Sequence, residues 1–164
     1  MIMPIRKINI KQLQKQLDQF PQSQFGAIRK HDIHTGIDIY CKEAEEVLSI
    51  ADGIIISMEM FTGEVAGSPW WNETKAVVVK SKEFFILYGE LELSKDLFIG
   101  KEIKEGEILG TVIPVLKKDK NKNPQSMLHL EVYSQAPFYL IWNLNETKPK
   151  NLINPLEVLI NTNL

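Results

Sequence analysis

From Phe25 to Tyr133 the chain offers its apolar residues only in short runs, and their brevity limits what it can fold into. The runs fall at residues 47–50, 53–57, 76–80, 84–88, 108–115 and 128–133, each bounded by turn-forming residues. Segments of about four to eight residues are strand-sized rather than helix-sized. Val77-Val78-Val79 and Phe84-Phe85-Ile86-Leu87-Tyr88, joined through Ser81-Lys82-Glu83, read as a hairpin. Gly100, Gly106 and Gly110 punctuate the stretch from Ile99 to Thr111, as tight turns between short strands do. The N-terminal part departs from this pattern. Residues 9–20 place Leu13, Leu17 and Phe20 at helical spacing behind Asn9, an N-cap residue, and Pro21 ends the helix. Near the C-terminus, residues 154–160 read as a turn followed by a last helix turn or strand. The expectation is a mainly β domain with a short N-terminal helix.

Two irregular segments interrupt the strands. Residues 61–74 hold Gly63, Gly67, Pro69 and the pair Trp70-Trp71, which either lines a binding surface or plugs the core. Residues 117–126 are polar and basic and read as a solvated loop. A formal charge of -2 gives no electrostatic case for nucleic acid. No apolar run is long enough to span a membrane. The start lacks the apolar core of a secretory signal, so the chain reads as cytoplasmic when synthesised. Cys41 is the single cysteine, which excludes an internal disulfide and leaves the fold to packing.

The chain has three histidines, and two stand where an imidazole could hold a metal. In His34-Thr35-Gly36-Ile37-Asp38, a straight strand would separate the outer two Cα atoms by about 13 Å, too far to share an ion. A chain bent at Gly36, where the missing Cβ permits the bend and leaves room for an ion, lets His34 and Asp38 both turn inward. In Met127–Tyr133 the alternation puts Leu128, Leu130 and Val132 on one face, and Met127, His129, Glu131 and Tyr133 on the other. His34, Asp38 and His129 together form a three-ligand set with an open fourth position, the pattern of a catalytic zinc site. Glu131 reads as a hydrogen-bond acceptor behind a ligand. His31 reads as a solvated loop residue or a substitute proton carrier, and Cys41 as a core residue.

These segments resemble the lysostaphin/LytM-type zinc metallopeptidases, which cut peptide cross-links in bacterial cell walls. The resemblance is carried in order by His34-Thr-Gly-Ile-Asp38, Val47-Leu-Ser-Ile-Ala51-Asp-Gly53, Tyr88-Gly-Glu90, Gly106-Glu-Ile-Leu-Gly110, Met127-Leu-His129-Leu-Glu131 and Asn154-Pro155. It implies an antiparallel β-sheet groove fold of the duplicated hybrid motif type. It also implies a metallopeptidase domain over residues 25–164 behind an extension of residues 1–24, and one Zn2+ per chain on His34, Asp38 and His129. The substrate class it implies is a peptide, with peptidoglycan as the partner, and such a lysin would have to be released or exported to the wall. Active members carry two further histidines, and at those positions this chain has Glu90 and Met127. Glu90 is then the expected general base, as a carboxylate is in other zinc peptidases. Tyr88 is an oxyanion donor, if the strand stays regular, or a packing residue. Met127, Trp70 and Trp71 line the substrate groove. The alternative is a catalytically impaired member of the same fold that binds peptide, peptidoglycan or a protein partner. The wording of residues 34–38 is also similar to the glucose-type phosphotransferase IIA domain, whose second histidine context is absent here.

Overall fold

The computed structural model describes residues 1–117 and 126–162. The basic segment expected at 117–126 lies, apart from its two end residues, outside the described residues.

Helix α1 (Ile10–Gln19) starts where Asn9 caps it. The Asn9 side chain accepts from the Gln12 N–H at 2.9 Å, and the Gln12 side chain accepts from the Asn9 N–H at 2.9 Å. This reciprocal capping satisfies two amide groups that a helix start otherwise leaves open. Leu13 and Leu17 enter the main core together with Ile5, so the first 24 residues pack into the same core as the strands. Burying each leucine is worth about 1.5–3 kcal/mol.

The strands follow in the order β1 (Asp32–Ile33), β2 (Ile37–Tyr40), β3 (Glu46–Leu48), β4 (Gly53–Thr62), β5 (Thr74–Lys80), β6 (Phe85–Leu93), β7 (Glu102–Ile103), β8 (Ile108–Val112), β9 (Met127–Tyr133), β10 (Trp142–Asn143) and β11 (Leu152–Ile153). Helix α2 (Pro155–Thr162) closes the described chain. Among the described residues, nine strands form one antiparallel sheet with the path β11-β9-β6-β5-β4-β7, to which β2 adds through β9, and β8 through β6 with β3 on β8. β1 and β10 make a separate two-stranded ribbon.

The hairpin read from the valine run is β5–β6. Its centre is apolar without alternation because both faces of the sheet are covered there. Val77 and Val79 enter the main core, while Ala76 and Val78 join Leu87, Tyr133 and Leu152 in a second apolar cluster on the other face. That second face also carries the histidines. No helix among the described residues is long and apolar enough to cross a membrane.

Candidate metal centre

β2 and β9 are adjacent and antiparallel, and their register sets Asp38 opposite His129. Ile37, Ile39, Leu128 and Leu130 go into the core, so Asp38 and His129 leave the opposite face side by side. His34 stands just ahead of β2, where Ala27 accepts its backbone N–H at 2.9 Å. Three atoms then converge. His34 Nε2 lies 3.2 Å from Asp38 Oδ1 and 3.2 Å from His129 Nδ1, and His129 Nδ1 lies 2.8 Å from Asp38 Oδ1.

Each ligand is held from behind. Nδ1 of His34 donates to the Gln24 carbonyl at 2.9 Å, which leaves a lone pair on Nε2. Nε2 of His129 donates to Glu131 Oε1 at 2.8 Å, which leaves Nδ1 for the common point. Glu131 is itself fixed by the Thr35 hydroxyl at 2.5 Å and by the Tyr133 hydroxyl. Arg29 donates to Asp38 Oδ2 at 2.6 Å and to the Gln22 carbonyl at 3.1 Å, reserving Oδ1 for the site.

Three acceptor atoms facing one point repel one another unless a positive charge sits between them. In tetrahedral zinc with bonds of about 2.0–2.1 Å, neighbouring donors lie about 3.3 Å apart; two edges of the triangle are 3.2 Å and the third, 2.8 Å, is shorter. The donor set therefore fits zinc. Without a metal a proton meets the same need. Burial alone would lower the His129 imidazole, but its hydrogen bonds to Asp38 and Glu131 carry it up to about 10. Burial pushes His34 down against the pull of Asp38. Burial would raise Asp38, yet the charges and hydrogen bonds of both histidines hold it well below the usual carboxylate range. Glu131 is likewise held down by His129 despite burial.

The remaining residues singled out by sequence divide into those near this centre and those away from it. Glu90 is near it. On β6 the pairing runs from Lys75↔Leu91 to Val77↔Tyr88, so three steps on β6 match two on β5. The extra residue is a β-bulge, and Glu90 sits in it with φ 66°. Tyr88 and Leu91 both enter the main core, and Gly89 between them faces His129 in the β6–β9 register. Glu90 is thereby turned out of the alternation. Its Oε2 is buried and, among the described residues, has no hydrogen-bond partner. Burial, with the Asp38 charge second, pushes its carboxyl up to about 8.

Tyr88 corrects the expectation of an oxyanion donor. It is fully buried, and its hydroxyl accepts the Ile50 N–H at 2.9 Å. The regular strand that would put it on the same face as Glu90 is broken by the bulge. Gly36 also has a different role from the one expected. A Cβ there would lie 2.3 Å from the Leu130 carbonyl oxygen, so the missing side chain admits the backbone of β9, not an ion. Met127 is half-buried and lies across from Tyr40. Trp70 is exposed and Trp71 half-exposed, their rings 6.1 Å apart on the loop between β4 and β5, so neither plugs the core. That loop leaves β4 just after Phe61, whose ring lies 5.4 Å from the His129 ring. His31 is exposed ahead of β1. Cys41 is half-buried, with burial and then the Glu45 charge pushing its thiol up to about 12.

Arg29, Gln24, Thr35, Phe61 and Tyr133 complete the centre and were not singled out as site residues by sequence. Tyr133 alone carried a signal, since it shares the alternating face of β9 with His129 and Glu131.

Residues 32–139 match the model of peptidase family M23. No curated protein sequence matches the chain. Among solved structures, cbpa from L. salivarius REN is 17% identical with a TM-score of 0.51, covering 80% of this chain and 78% of that one. The catalytic domain of the prophage-encoded M23 protein EnpA from Enterococcus faecalis, as a mutant, is 19% identical with a TM-score of 0.50, covering 77% of this chain and 89% of that one. The antimicrobial peptidase lysostaphin from Staphylococcus simulans is 15% identical with a TM-score of 0.55, covering 84% of this chain and 48% of that one. This chain therefore spans about half the length of lysostaphin. At these identities the likenesses show a shared fold.

Proposed function

Because the chain belongs to peptidase family M23, we propose that it is a zinc-dependent endopeptidase acting on the peptide cross-links of peptidoglycan. One observation carries this reading: three acceptor atoms, 2.8–3.2 Å apart, aimed at one point by residues that fix both histidine tautomers. The resemblance to lysostaphin/LytM-type enzymes supports the substrate class. On this reading residues 25–164 are the peptidase domain and residues 1–24 an extension docked on its core. To meet its substrate the protein leaves the cytoplasm.

His34, Asp38 and His129 would hold the zinc, which when bound polarises a carbonyl and makes water acidic enough to attack near neutral pH. Glu90 moves the proton. Its unpartnered Oε2 accepts it from the attacking water and returns it to the leaving nitrogen. Arg29 keeps Asp38 presenting a single oxygen, and Glu131 orients His129.

The test is metal analysis with a Glu90→Gln variant. Purified protein should hold one zinc and cleave wall material, and chelation should stop cleavage. Glu90→Gln should keep the zinc and lose about 10²–10⁴ in kcat. Full activity in Glu90→Gln would refute the mechanism. Binding of wall peptide without hydrolysis, unchanged by zinc, would replace the enzyme with a binding module.

A further inference from the structure

Tyr40 ends β2 two residues beyond Asp38, so both side chains leave the face opposite Ile37 and Ile39. In the β2–β9 ladder, Asp38 opposes His129 and Tyr40 opposes Met127. Directly opposed residues of an antiparallel pair have Cβ atoms about 4.5–5.5 Å apart. A phenol therefore stands beside Met127, a side chain with no proton to give. It lies within electrostatic reach of Asp38, Arg29 and Glu90.

The position is built from the N-terminal helix. The Gln16 side chain accepts the Tyr40 N–H at 2.8 Å and donates to the Tyr40 carbonyl at 2.8 Å, as a neighbouring strand would. The Phe20 ring meets the Tyr40 ring edge-on at 5.0 Å. The ring borders an open groove of about 370 Å³ shared with Gln12, Gln16, Phe20 and Cys41. Gln16 and Phe20 precede the segment that matches the family, so this clamp belongs to the chain's own extension.

We propose that Tyr40 is a catalytic residue, clamped by α1, whose phenol donates a hydrogen bond to the oxyanion that develops on the scissile carbonyl. The inference rests on the peptidase reading above. In that hydrolysis the water oxygen bonds to the carbonyl carbon and the C–N bond breaks. One water proton passes through Glu90 to the leaving nitrogen, and Tyr40 keeps its own proton throughout.

Zinc-loaded wild type, Tyr40→Phe and Gln16→Ala should be compared in two assays. One is hydrolysis of wall peptide. The other is binding of a tetrapeptide analogue whose scissile amide is replaced by a phosphinate, an anion shaped like the oxyanion. Tyr40→Phe should lower kcat about 10²–10³-fold at unchanged KM and weaken phosphinate binding at least about tenfold, with zinc content and Tm retained. Gln16→Ala should show smaller losses of the same two quantities. Phosphinate affinity of Tyr40→Phe within about twofold of wild type overturns the proposal. So does a wild type that does not bind the phosphinate, or a loss confined to Tm. Tyr40-dependent phosphinate binding without turnover would remove the peptidase reading alone. Turnover indifferent to Tyr40→Phe would remove this inference alone.

Discussion

Gly36→Ala tests how the ligand strands are held together. The added Cβ would lie 2.3 Å from the Leu130 oxygen, 3.0 Å from the Leu130 carbonyl carbon and 3.0 Å from Glu131 Cγ. Carbon–oxygen contacts of this kind are comfortable only from about 3.3 Å, so the Leu130 carbonyl must retreat by about 1 Å. It has little freedom to do so. Leu130 is fully buried and paired to Ile37 on one side and Tyr88 on the other. Overpacking of this sort costs about 1–3 kcal/mol, and a clash with backbone belongs at the upper end. For a domain of this size about 3 kcal/mol corresponds to a Tm lower by about 6–12 °C. Leu130 lies between His129 and Glu131, so the same displacement disturbs a ligand and the group that orients it. Zinc affinity should fall about tenfold or more. Calorimetric unfolding and zinc titration against a competing chelator read both quantities. Gly67→Ala provides the contrast, since it meets nothing within 4 Å and adds only the strain of φ +83°, about 1–2 kcal/mol. A Gly36→Ala protein with the wild-type Tm and zinc affinity would refute the argument that β2 and β9 touch through this glycine.

Two further outcomes follow from the site and its surroundings. Glu131→Gln should weaken zinc binding about 10–100-fold, because Glu131 accepts from His129, Thr35 and Tyr133 at once and an amide cannot accept at both ends; an unchanged zinc titration would count against it. Cys41 should alkylate far more slowly than a free thiol at pH 8, because burial and the Glu45 charge keep it protonated until about 12. The reactive thiolate then gains as pH rises, and iodoacetamide labelling as fast as that of free cysteine would contradict this.

Legibility in the sequence tracked how local the cause was. Helix α1 was readable because Asn9, Leu13 and Leu17 satisfy a rule that spans only a few residues. The β5–β6 hairpin was readable from its apolar runs for the same reason. β1, β7, β10 and β11 span two residues each, too short for any alternation to show. β4 runs five residues beyond the expected Ser57, through Met58, Glu59, Met60 and Phe61 to Thr62, where polar and apolar residues mix. The convergence of His34, Asp38 and His129 showed in the motifs. Arg29 and Gln24 did not show, because their contacts arise from packing of the segment that precedes β2.

The bulge at Gly89–Glu90 was hidden for a different reason, and it bears most on function. A bulge residue with positive φ is ordinarily glycine, and here a glycine stands one position early. The left-handed conformation costs Glu90 about 1–2 kcal/mol. No hydrogen bond from the described residues to Oε2 offsets the burial of that atom. Stability alone would favour glycine at residue 90 and a regular glutamate elsewhere. Strain and an unpartnered carboxylate oxygen coincide at the residue that the bulge turns toward the ligand face. Local rules broken together in this way support the chemical role proposed for Glu90. Tyr88 enters the core by regular alternation with Ile86, and the extra residue that follows it turns Glu90 away from that core face and returns Leu91 to it.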